Sequence, residues 1–286
     1  MFRLGARRFA DGEYAVMAII NRTPDSFFDK GATFAEDAAL RAVEVAVAEG
    51  ADIIDIGGVK AGPGETVDAA EELRRTLPTI EKIRSMFPEV VISIDTWRAE
   101  VAREVVAAGA DLINDTWAGA DPGLAEVAAE TGAGLVCSHA GGLTPRTRPH
   151  RAAFQDPVTD VVRTVTDLAE RAIALGVRRD GILIDPAHDF GKNTRHSLAI
   201  TNRLDEMVAT GWPVLVALSN KDFIGETLDV PVGERLEGTL AATAVSAWLG
   251  ARVFRAHQVR ATRRVLDTVA AIRGERQPAA VRRGLA

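Results

Sequence analysis

The sequence predicts an α/β protein folded as a single (β/α)8 TIM barrel, and three observations predict it. Short apolar runs end in turn on Asn21, Asp55, Asp95, Asn114, His139, Asp185, Lys221 and His257. In such a barrel each strand is buried on both faces, and only its C-terminal end opens on a polar mouth. Second, Gly50, Gly109, Gly132, Gly176 and Gly250 each close an amphipathic stretch just before the next apolar run. Glycine there takes the left-handed turn that ends a helix at no Cβ cost. Third, the 286 residues are close to the roughly 250 of one barrel, so residues 1–286 are read as one domain.

The elements follow in order. Ile53-Ile54, Leu112-Ile113 and Ile182-Leu183-Ile184 are short and continuous rather than alternating, as strands covered on both faces are. Between such runs, Glu71 to Arg84 and Asp160 to Ala174 carry apolar residues at three- and four-residue spacing with mixed charge on the outer face. The polar segment AGGLTPRTRPHRAAF after His139 is too long for an ordinary connector and is read as a loop over the mouth. The Ala-rich stretch from Leu236 to Phe254 contains Glu237, Arg252 and glycines, so it reads as a barrel helix and strand rather than a membrane span. From about residue 274 the chain reads as a polar tail.

Composition narrows the function. A net charge of −6 argues against nucleic acid as a partner, whose footprint is basic, and no apolar run is long enough to enter a membrane. The single cysteine, Cys137, excludes an internal disulfide. With a charged N-terminus that has no apolar signal core, this predicts a cytoplasmic protein.

The mouth already has a chemical character. Asp55, Asp95, Asp115, Asp185, Asn21 and Asn114 supply acceptors and amides, while Lys221, Arg255, His139 and His257 supply cations and donors. Carboxylates and amides present two atoms in one plane, which suits the edge of a flat heterocycle. Arg255 suits stacking on such a ring or clamping a phosphate. No His or Cys spacing suggests zinc; an oxygen-ligated magnesium on a substrate phosphate stays open.

Met17-Ala-Ile-Ile-Asn21-Arg-Thr-Pro-Asp-Ser-Phe27 resembles the opening signature of the dihydropteroate synthases, M-G-I/V-x-N-V/M-T-P-D-S-F-S-D-G-G. Further matches follow in order: ADIIDIGG (51–58), SIDT (93–96), IND (113–115), IDP with FGK (184–186, 190–192), SNK (219–221) and RAH (255–257). The resemblance implies a pterin-binding barrel that joins 6-hydroxymethyl-7,8-dihydropterin diphosphate to p-aminobenzoate in folate biosynthesis, with magnesium on the leaving diphosphate. It implies that Asp95, Asn114, Asp185 and Lys221 read the pterin, and that Arg255 stacks on it. Arg255 and His257 would contact phosphate, Asn21 would serve phosphate and metal, and Phe190, Ser219 and Pro63 would line the aminobenzoate side. Lys221, Arg255 and His257 would be the catalytic residues of an active enzyme. It also implies a homodimer built on the last two barrel helices, about 232–249 and 258–273.

Other positions depart from the family. Its second loop, D-I/V-G-G-E-S-S/T-R-P-G, is here Asp55-Ile-Gly-Gly-Val59-Lys60-Ala61-Gly62-Pro63-Gly64. An arginine replaced by Gly62 removes a charge-assisted contact worth about 1.5–3 kcal/mol, roughly 10- to 100-fold. In the first loop S-D-G-G becomes Phe28-Asp29-Lys30-Gly31, and D-P-G-x-G-F becomes Asp185-Pro186-Ala187-His188-Asp189-Phe190. Two readings compete. New cations (Arg22, Lys30 or a phosphate-binding Lys60) restore the lost contact and synthesis survives. Alternatively, the chain is a second paralogue that keeps the pterin pocket, still binding a pterin or a sulfone-type aminobenzoate mimic, with little or no synthase activity. The losses cluster on the diphosphate and aminobenzoate side, which favours the second. A pterin-dependent methyl carrier is a third reading, and the near-complete signature around Asn21 argues against it.

Overall fold

The computed structural model describes residues 1–24, 31–147 and 153–284. Eight parallel strands form the sheet: β3 (Ala15–Asn21), β4 (Ile53–Gly57), β5 (Val91–Asp95), β6 (Leu112–Asp115), β7 (Gly134–Ser138), β8 (Ile182–Asp185), β9 (Leu215–Ala217) and β10 (Val253–Ala256). Their order is β8-β7-β6-β5-β4-β3-β10-β9. A bridge from Ile184 to Val214 joins the two ends, so the sheet closes into the expected barrel. A short hairpin, β1 (Phe2–Leu4) with β2 (Arg7–Phe9), precedes it.

The helices are α1 (Glu36–Ala48), α2 (Ala69–Met86), α3 (Ala99–Ala107), α4 (Gly123–Thr131), α5 (Pro157–Ala174), α6 (Thr194–Asn202), α7 (Leu204–Val208), α8 (Asp222–Leu228), α9 (Leu236–Trp248) and α10 (Val259–Ile272). Several begin on the side chain that an N-terminus requires. Asp68 accepts from Glu71 N, Asp156 accepts from Val158 N ahead of Pro157, and Asn193 forms a capping box with His196. The punctuating glycines do turn left-handed, with φ of 95° at Gly50, 115° at Gly109, 73° at Gly132, 105° at Gly176 and 110° at Gly250.

The barrel interior is layered, and the layering places the site. Met17, Ile53, Val91, Leu112, Val136, Leu183, Leu215 and Val253 form an apolar layer together with Phe2, Leu4 and Phe9 of the hairpin, which stops the base. Side chains alternate across a strand, so two residues further on the same face come Ile19, Asp55, Asn114, Asp185, Ala217 and Arg255. Apart from Ile19 and Ala217, the barrel therefore changes from hydrocarbon to hydrogen-bonding groups within one layer. A second apolar shell, including Ile54, Ile80, Ile92, Val101, Val165 and Phe254, lies between strands and helices.

Candidate functional site

A cavity opens at the C-terminal ends of the strands. It is lined by Ile19, Asn21, Thr23, Val59, Lys60, Ala61, Asp95, Asn114, Thr116, Asp185, Ala187, Phe190, Ala217, Ser219, Lys221, Arg255 and His257. Nearly every expected residue is brought together here. Pro63 is exposed and is not among the lining residues.

Charge organises the floor. Arg255 donates from Nε to Asp55 at 2.6 Å and from an Nη to Asp95 at 2.9 Å. Asn114 donates its amide to Asp55 at 3.2 Å. Asp55 is thus not an open strand end: it sits inside β4, wholly buried, and holds Arg255 and Asn114 in place. Asn114 Oδ1 stays buried without a hydrogen-bond partner, an acceptor for a ligand N–H, since a lasting orphan of this kind is costly. Burial pushes the Asp95 carboxyl up to about 7, with Arg255 pulling against it. Burial likewise raises Asp185, which Lys221 opposes, and lowers Lys221. These shifts mark a desolvated pocket in which hydrogen bonds count for more than in water.

Aromatic and hydroxyl groups form the sides. Phe190 packs edge-on against Trp117, with ring centroids 5.3 Å apart, and Lys221 Nζ lies 5.0 Å from the Phe190 centroid. Ser219 Oγ lies 2.9 Å from His257 Nδ1. Burial and then Arg255 lower the His257 imidazole to about 3, so it is neutral at physiological pH.

Two expected mouth residues face elsewhere. Asp115 accepts from Trp117 N at 2.9 Å and Gly119 N at 2.6 Å, so it ties its own turn. His139 is buried with Nε2 3.0 Å from Asp160 on α5, and burial lowers it to about 4. Thr116, which sequence reasoning passed over, donates to Asp95 at 3.3 Å.

The candidate compensating cations separate as well. Arg22 is buried and donates to the carbonyls of Arg75, Thr33 and Phe34, so it braces backbone rather than the cavity. Lys30 lies outside the described residues. Lys60 lines the cavity. From the long loop after β7, Arg146 reaches across and donates to Gly62 O at 3.2 Å and Glu65 O at 2.6 Å, strapping down the altered second loop.

The loop after β8 keeps a glycine-like backbone without the glycines. Ala187 has φ of 47° and Asp189 has φ of 69°, a region that costs an ordinary L residue about 1–2 kcal/mol. Ala187 is held there by its N–H on Asp185 Oδ1 at 2.7 Å and its carbonyl on Lys192 Nζ at 3.1 Å. Ala187→Gly is expected to stabilise the protein by about 0.5–1 kcal/mol, strain relief exceeding glycine's extra unfolded entropy. A fall in melting temperature would contradict that account.

The model of the pterin binding enzyme family matches residues 17–257. Inactive dihydropteroate synthase 2 of Mycobacterium leprae is 60% identical over 287 residues, covering 99% of both chains. The chain belongs to the dihydropteroate synthase family. A structure of the Yersinia pestis synthase with a sulfonamide drug superposes on this family member with a TM-score of 0.90 at 34% identity, covering 96% of this chain and 99% of that one. The Coxiella burnetii synthase with pteroic acid gives 0.86 at 34%, with the same coverage. Departures at 59–62 and 187–189 are therefore changes within a dihydropteroate synthase barrel.

Proposed function

We propose that this dihydropteroate synthase-like protein retains a pterin pocket and has little or no synthase activity. One observation carries the reading: a single cavity holds Asp95, Asn114, Asp185, Lys221 and Arg255 together, while its second-loop wall presents Val59, Lys60 and Ala61. Asn114 and Asp185 offer acceptors and Lys221 a donor to the ring edge, and Arg255 underlies the ring. Phe190 and Ser219 would face an aminobenzoate or a sulfone-type mimic. The M. leprae relative is named an inactive synthase, and the Yersinia and Coxiella neighbours hold a sulfonamide drug and pteroic acid, which supports both halves of the proposal.

Asn21, Arg255, His257 and Lys60 all line this cavity, and in this reading they would meet a phosphate. Among the described residues no group of three His, Cys, Asp or Glu could share a metal ion. Asn21 offers one neutral amide in a cavity that Lys60 also lines, a poor set for magnesium, which is usually held by carboxylates and substrate phosphates. Among the described residues, Asn21 would therefore need the oxygens of a phosphorylated ligand to complete a magnesium site. Lys60 is also the observation that favours the other reading, an active synthase with a rebuilt phosphate contact. In that case Lys60→Ala abolishes affinity for the dihydropterin diphosphate; unchanged affinity in calorimetry removes that reading.

The deciding assay supplies dihydropterin diphosphate, p-aminobenzoate and magnesium, and measures pyrophosphate and dihydropteroate beside a working synthase. Pterin binding without product is expected. Turnover near the control would overturn the proposal. We also infer a homodimer on α9 and α10, supported by exposed Val245, Trp248 and Ile272, and a cytoplasmic location, supported by the lone buried Cys137. No described helix is long and apolar enough to cross a membrane.

A further inference from the structure

The tripeptide His188-Asp189-Phe190 encloses Lys221 on one side. Lys221 Nζ donates to His188 O and lies over the Phe190 ring. Between them, Asp189 crosses to the next element: its Oδ2 accepts from Phe223 N at 3.2 Å and its Oδ1 accepts from Ser197 Oγ at 3.0 Å. Phe223 is the second residue of α8, and Lys221 is the N-cap of that helix, with no side-chain cap of its own. A carboxylate from the neighbouring loop thus supplies the missing cap. Its left-handed φ, which Asp and Asn tolerate better than other side chains, lets it reach.

We propose that Asp189 is a positioning residue for Lys221: it caps α8 from the adjacent loop, fixing the backbone from which Lys221 projects, and it sets a carboxylate between the two residues, His188 and Phe190, on which the ammonium rests. This rests on the pterin-pocket reading only for its consequence, the grip on a ring edge. Burial works against the Lys221 charge, while Asp189 leads the carboxylates that support it, ahead of Asp185 and Asp95; Arg255 opposes it. Lys192 and His188 also lie within electrostatic range of Lys221.

The test reads Lys221 directly. The chain has five lysines, so side-chain carbon resonances of 13C-lysine-labelled protein can be followed with pH, and Lys221→Met assigns the signal. Asp189→Asn keeps an acceptor for Phe223 N, suits the same φ, removes the charge, and turns an amide N–H toward Ser197 Oγ, a hydroxyl that can accept it. Its Lys221 titration is expected to move down by about one pH unit, and affinity for 6-hydroxymethylpterin above neutrality to fall several-fold. Asp189→Glu retains the charge and is expected to titrate near wild type, a second reading of the same point. An unmoved titration in Asp189→Asn would overturn the proposal, whatever happens to the melting temperature. A moved titration in a protein that binds no pterin would uphold the positioning role and sink the pterin-pocket reading instead.

Discussion

Asp185→Ala is expected to eliminate measurable pterin binding, a loss of at least about 100-fold. The carboxylate lines a desolvated cavity, where each hydrogen bond to a charged group is worth about 1.5–3 kcal/mol and a stranded ring donor adds its own desolvation cost. Alanine also removes the oxygen that holds Ala187 N in its strained conformation, so a lost fold could imitate lost binding. Asp185→Asn separates the two. Its carbonyl can still accept from Ala187 N, but its amide turns a donor where a ring donor needs an acceptor. The asparagine variant is expected to melt close to wild type and still fail to bind in calorimetry. Retained binding by either variant would place the pterin elsewhere in the molecule.

The barrel was legible because strands covered on both faces must be apolar until they reach the mouth, and glycines mark where helices end. Most of the cavity was legible for the same reason, through Asp95, Asn114, Asp185, Lys221 and Arg255 at or within a few residues of strand ends. Asp55 was misplaced because continuous apolar runs hide the two-residue alternation that decides which side chains point inward. Counting two from Ile53 puts Asp55 under Arg255, a partner 200 positions away. Asp115 and His139 share the strand-end position but turn to satisfy nearby groups, Trp117 N and Asp160. Position on a strand bounds where a side chain starts, not where its hydrogen bonds take it. Arg146 ties one loop to another and Asp189 ties a loop to α6 and α8, and contacts made from loops leave no periodic trace in a single sequence.

Arg255→Ala tests the electrostatic floor, and the expected result is a loss of stability as well as of ligand. Arg255 is held by two carboxylates, one of them wholly buried. Removing one partner of a buried pair typically costs about 3–5 kcal/mol, because the remaining charge is left uncompensated. For a protein of this size that is a fall of roughly 10 °C in melting temperature. The pH dependence has a definite sign. The folded Asp95 carboxyl titrates at about 7, above its ordinary value, so its contribution to stability is fully present at acid pH and is lost as pH rises through 7. Arg255 opposes that rise, and its removal pushes Asp95 higher still. The penalty of Arg255→Ala is therefore expected to be largest at pH 8 and to shrink toward pH 5, where Asp95 is neutral and needs no partner. Arg255→Lys should recover only part, since an ammonium lacks the planar fork that spans Asp55 and Asp95 together. Melting curves of both variants between pH 5 and 8 check this, and a penalty independent of pH would mean that Asp95 is not the charge Arg255 compensates.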